Sequence, residues 1–205
     1  MSLQISPETE KKLQKVFNEI NKCKKCSNNP EYSHFSEYRL FFYVGKKYKE
    51  GEGIFVIGET PKFRKGKNWA VAIKSIRHKN KWQKYNKWLE GRLVDEKDGF
   101  KILTNFENWS KKLDDNFVFT DLACCSPKKF NNKLYKNCKN FLIKELEILQ
   151  PKAIMTLGGR ARDKIENRQE FGGALPKKIF YCLHTSQFNP NKKWNTLEEV
   201  VNAFK

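Results

Sequence analysis

Apolar residues recur at Leu13, Val16, Phe17 and Ile20, the three- and four-residue spacing of one helix face. Ser6-Pro7-Glu8 precedes them and supplies an N-cap, a proline at the first helical position and an acid in the first turn. The chain is therefore predicted to open on a helix that runs into Cys23-Lys24-Lys25-Cys26, with a polar loop after it. Four later runs show no polar alternation. They are Gly53 to Gly58, Phe117 to Leu122, Ala153 to Leu157 closed by Gly158-Gly159, and Ile179 to Leu183 ending at His184. Short continuous apolar runs between turn residues read as strands buried on both faces, the signature of a parallel sheet. Between the second and third runs the pattern predicts a helix over Leu134–Leu149, with Phe141, Leu142, Leu146 and Leu149 on its core side and Pro151 stopping it. Thr104 with Glu107, and Thr196 with Glu199, have the spacing of capping boxes for two further helices.

Strand, helix, strand in this order predicts a three-layer α/β/α sandwich around a mainly four-stranded parallel sheet. A length of 205 residues suits one domain over 1–205, with a basic, aromatic-rich insertion at about 75–115. Open parallel sheets bind ligands outside the carboxyl ends of their strands. The loops after Ile57, Leu122, Leu157 and Leu183 are thus expected to converge. They carry Glu59-Thr60-Pro61, Asp121 to Pro127, Gly158-Gly159-Arg160 and His184-Thr185-Ser186.

Charge narrows the class of partner. Lys and Arg number 41 against 23 Asp and Glu, a net charge of +18. Such an excess repels itself in a compact state and favours an anionic partner, nucleic acid first; Lys- and Asn-rich coding of a low-GC genome gives the same excess without one. Between Lys74 and Lys87, Arg77, Lys79, Lys81 and Lys84 interleave with Trp82 and Tyr85. That is a pattern of phosphate contact plus base stacking, and equally that of a solvated helix with its aromatics in the core. The 16 Phe, 7 Tyr and 5 Trp can build a core, which argues against disorder. No run of 18 apolar residues suggests a membrane span, and the opening MSLQISPETEKK lacks signal-peptide character. A monomeric cytoplasmic protein is expected.

Six cysteines without an export signal favour metal or redox chemistry over disulfides. Cys23 and Cys26 form a C-x-x-C, a weak signal alone. Cys125 follows a predicted strand and Cys138 lies near the start of the next helix. Four thiolates from two distant segments can close a zinc site or an iron–sulfur cluster, and this spacing is not that of a zinc ribbon. Cys124 and Cys182 read as ordinary buried cysteines.

Taken together, the C-x-x-C, GIFVIGETP, FTDLACCSP with Cys138 and LIKELEILQPKAIMTLG, and a late His-x-Ser resemble the family 4, iron–sulfur uracil-DNA glycosylases, from about Cys23 to Ser186. The resemblance implies a [4Fe–4S] cluster on Cys23, Cys26, Cys125 and Cys138, with zinc as the alternative. It implies a glycosylase of base-excision repair that flips uracil or another deaminated base out of DNA, single-stranded DNA included, because the glycosidic bond is unreachable inside a stack. The alternative is a catalytically silent nucleic-acid-binding protein of the same fold. By the same resemblance Glu59, Thr60 and His184 are catalytic, His184 as a donor to the leaving base. Gly58, Trp69 and Asp121 recognise the base, and Lys62, Ser126, Arg160 and Ser186 contact DNA. Lys62 stands where the family has glycine, Thr185 where it has proline, and Asp121 where it has a base-reading asparagine. The last change matters chemically: an asparagine amide donates and accepts, whereas an ionised aspartate only accepts.

Overall fold

The computed structural model describes residues 4–26, 42–59, 81–93, 111–124, 132–182 and 195–204. Helix α1 spans Pro7–Lys22; the Ser6 hydroxyl accepts from the Thr9 amide at 3.1 Å, and Leu13, Val16, Phe17 and Ile20 are buried as their spacing predicts. Strands β1 (Tyr43–Val44) and β2 (Ile54–Gly58) come next, then α2 (Trp82–Leu93), β3 (Phe117–Asp121), α3 (Asn132–Leu149), β4 (Ala153–Leu157), α4 (Gly159–Glu166), β5 (Lys178–Cys182) and α5 (Leu197–Asn202). The five strands form one sheet in the order β1-β3-β2-β4-β5. Strands β2 to β5 run parallel and β1 pairs antiparallel on the outer side of β3.

Every residue of β2, β3 and β4 is buried. Successive strand side chains point to opposite faces, so both faces of the sheet are covered, as a three-layer arrangement requires. Helices α1 and α3 pack on each other, and α4 packs on β4. The expected four parallel strands are all present. The fifth, β1, is two residues long, too short to leave a periodic trace in sequence. Helix α3 starts two residues earlier than predicted, and its buried face runs through Leu134, Tyr135, Cys138, Leu142, Glu145, Leu146 and Leu149, with Phe141 at the margin. The Thr196–Glu199 capping box forms at α5; Thr104 and Glu107 lie outside the described residues.

Helix α2 settles the basic tract where it is described. Trp82 and Tyr85 are buried, Trp82 against Phe42 and Tyr85 against Phe17, and the Trp82 indole donates to the Glu10 carbonyl at 3.2 Å. These two rings are core and cannot stack on bases, while Lys81, Lys84 and Lys87 remain exposed.

Both outer strands have their open edges answered by an asparagine. The Asn86 amide of α2 donates to the Val44 carbonyl and its oxygen accepts from the Val44 amide, each at 2.8 Å and buried. On the opposite edge the Asn195 side-chain oxygen accepts from the Tyr181 amide at 3.0 Å, while the Asn195 backbone N–H donates to the Tyr181 carbonyl at 2.6 Å. The Asn86 side-chain amide, and the Asn195 side-chain oxygen together with its backbone N–H, thus supply the pattern of a further strand and block edge pairing. Asn86→Ala leaves a buried amide and carbonyl unsatisfied and is expected to cost roughly 2–4 kcal/mol in urea denaturation. Asn195→Ala, at a partly exposed edge, should cost less, and equal small losses would show that water replaces both amides.

Candidate active site

Asp121 ends β3 directly beside Gly58, which ends β2, and the Leu122 amide closes the pair on the Gly58 carbonyl at 3.0 Å. The aspartate side chain lies over the glycine: a Cβ at Gly58 would overlap Asp121 Oδ1 and stand 3.6 Å from Cζ of Phe119. Glycine is needed here for close approach to a neighbouring side chain. Asp121 is itself buried, so its carboxylate sits at a dry strand end.

Glu59 follows Gly58 and is mostly shielded, whereas Arg160, in the first turn of α4, is exposed. Arg160 Nη1 donates to Glu59 Oε1 at 2.5 Å. The contact ties the loop after β2 to the loop after β4. Gly158 makes the turn into α4 at φ +90°, a conformation that favours glycine, and its amide donates to the Cys182 carbonyl of β5 at 2.8 Å. The carboxyl ends of β3, β2, β4 and β5 therefore meet along one edge, as expected from the parallel sheet. An exposed ion pair adds little stability; its consequence is to hold the Glu59 carboxylate in place.

One buried acid was not anticipated. Glu145 lies on the core face of α3 at 1% exposure, and its Oε2 accepts from the Thr120 hydroxyl at 2.9 Å. Burial pushes the Glu145 carboxyl up to about 8, the Thr120 hydrogen bond pulls it back and the Asp121 charge adds to the rise. A sequence signal existed: Cys138, Leu142, Glu145 and Leu149 follow helical spacing, so Glu145 falls on the apolar stripe.

The cysteines divide by environment. Cys23 caps the end of α1. Cys26 is buried and its sulfur accepts from the Asn137 amide of α3 at 3.4 Å, next to the buried Cys138. The end of α1 and the start of α3 thus bring Cys26 beside the Asn137-Cys138 pair. Among the described residues no three His, Cys, Asp or Glu side chains gather into a metal site, and Cys125 lies outside the described residues. Cys124 is buried, and Cys182 is buried in β5 with its thiol pushed up to about 12 by burial, Glu199 adding to it. A thiol held that high is unreactive. Thr60, Lys62, Trp69, Ser126, His184, Thr185 and Ser186 lie outside the described residues. Among the described residues no helix is long and apolar enough to cross a membrane.

The carboxyl ends of the parallel strands thus bring a buried aspartate over a glycine and join Glu59 to Arg160, at the edge where parallel α/β sheets generally bind ligands. The sequence pattern of the uracil DNA glycosylase superfamily matches residues 46–205, and the chain belongs to that superfamily, whose members act on DNA. No curated protein sequence matches the chain.

Two outcomes test this site without any substrate. Gly58→Ala should cost about 1–3 kcal/mol by overpacking, and the cost should shrink in an Asp121→Ala background, as a double-mutant cycle measures; an unchanged cost would mean that the Asp121 carboxylate does not occupy that space. Glu145 sets a pH dependence. In the unfolded chain it ionises near 4.5, whereas in the fold it keeps its proton to about 8. Its contribution is fully present below pH 4.5 and is lost as pH rises to about 8, roughly 3–5 kcal/mol in all. Glu145→Gln should flatten the stability slope over that window.

Proposed function

We propose that the protein is a DNA glycosylase that flips a deaminated base into the edge formed by β3, β2 and β4 and hydrolyses its N-glycosidic bond. The observation that carries this reading is the Asp121 carboxylate held over Gly58 at the strand ends, in a chain of this superfamily with a net charge of +18. Basic side chains neutralise phosphate and release counterions, with Lys62, Ser126, Arg160 and Ser186 as the contacts. Trp69 is read as the ring that stacks on the flipped base, and Glu59 and Thr60 as the residues that hold the water attacking the anomeric carbon, Glu59 taking its proton. As the bond to the base nitrogen breaks, the base leaves with the electron pair, and His184 donates a hydrogen bond to its oxygen, which is strongest when that charge develops. Ionised Asp121 accepts from a ring N–H or an exocyclic amino group; it opposes a carbonyl oxygen. A base presenting a donor at that edge is therefore the favoured substrate.

The iron–sulfur, family 4 assignment belongs to the same reading. Buried Cys26 beside Asn137 and Cys138 fits two thiolates of a four-cysteine set, completed by Cys23 and Cys125. A [4Fe–4S] cluster there supplies a structural tie between the end of α1 and the start of α3. The protein is further read as one cytoplasmic, monomeric domain. A second reading, a silent nucleic-acid-binding protein, is favoured by one observation: Arg160 already engages the carboxylate of Glu59.

The test is cleavage of single- and double-stranded oligonucleotides carrying uracil, hypoxanthine, xanthine or a cytosine mispair, using anaerobically purified protein of known iron content. Abasic-site formation is expected, with Asp121→Asn shifting preference toward uracil by about tenfold, the worth of one hydrogen bond. A brown protein absorbing near ~400 nm supports the cluster, and a colourless zinc protein removes it. Binding without cleavage by cluster-loaded protein favours the silent reading.

A further inference from the structure

We infer that Glu145 is the positioning residue of this edge, acting through Thr120 to fix where Asp121 lies. The inference rests on the reading of the strand ends as a base site. Thr120 and Asp121 are consecutive at the end of β3, so their side chains leave the strand on opposite sides. Thr120 turns to α3 and donates to Glu145 at 2.9 Å; Asp121 turns over Gly58. Movement of Glu145 therefore moves the last residues of β3, and with them the carboxylate that faces the base. Both acids are buried at one strand end.

Their charges are coupled as well. Among the described residues Asp121 is the charge that acts on Glu145. Lys144 of α3 pairs with Glu19 of α1, and Glu59 after β2 pairs with Arg160 of α4, so these neighbours are already matched. Two like charges at one dry strand end cannot both form cheaply. With its carboxyl held up to about 8, Glu145 keeps its proton and adds no charge to this edge at neutral pH. Above that, a second negative charge forms beside the Asp121 side chain at the same strand end. The charge at the base-facing edge thus responds to a residue that never touches the base.

Carboxyl carbon NMR of the full chain measures this without any catalysis. The Asp121 signal is expected to show a second inflection as Glu145 ionises in the wild type. Glu145→Gln, neutral at all pH and close in shape, should lose that inflection. Thr120→Val should displace the Glu145 inflection upward, since it removes the hydrogen bond that favours the ion. An Asp121 signal indifferent to both substitutions overturns the inference. On oligonucleotides, Glu145→Gln should keep neutral-pH kcat/KM within about threefold and abolish any loss above pH 8. Thr120→Val should reduce discrimination between bases by about tenfold, mainly in KM. Unchanged discrimination in Thr120→Val contradicts the positioning role. If wild-type protein neither binds nor cuts DNA, the base-site reading falls, while the NMR titration still decides whether Glu145 governs Asp121.

Discussion

Covering both faces of β2, β3 and β4 is the constraint on which the rest of the structure depends. All fifteen residues of these three strands are buried. Removing apolar surface from water on both faces is the dominant favourable contribution, and it requires helices above and below. It also forbids ligand approach through the faces. What is left for chemistry is the rim, where the strands stop and the chain turns back, and Glu59, Asp121 and Arg160 lie there.

The outer strands solve a separate problem. A sheet that ends on β1 and β5 exposes unpaired amides and carbonyls. Asn86 and Asn195 answer the same pair of backbone groups on opposite edges, one from a helix and one from the stretch ahead of α5. The β1 edge is finished by a side chain and the β5 edge by a side-chain oxygen with a backbone N–H, and the burial of Trp82 and Tyr85 holds α2 where Asn86 can reach.

At the carboxyl rim, packing and charge are set by the same residues. Gly58 gives room for Asp121, Thr120 links Asp121 to Glu145, and Arg160 holds Glu59. A buried acid on a core stripe is costly unless it is neutral or paired, and Glu145 meets that demand by keeping its proton and accepting from Thr120. The superfamily match extends over both halves of this rim.

The chain's own sequence determined the start of α1, the end of α3, the cap of α5 and the four parallel strands, because caps, prolines and continuous apolar runs are local signals whose physical effect needs no partner. It also marked Gly58, Glu59, Asp121 and Arg160 as rim residues, since a strand end is visible wherever an apolar run stops. Tertiary structure alone decided the rest. Whether Trp82 and Tyr85 face solvent or core depends on α1 lying beside them, which their alternation with lysines cannot reveal. Strand β1 exists only because β3 and Asn86 satisfy its two residues. The apolar stripe marks Glu145 as buried, but its partners are fixed only when Thr120 and Asp121 are brought to it from 25 and 24 residues earlier in the chain. Local propensity is written residue by residue, but burial, charge coupling and hydrogen-bond partnership are properties of pairs, and the pairs are made only when the sheet closes.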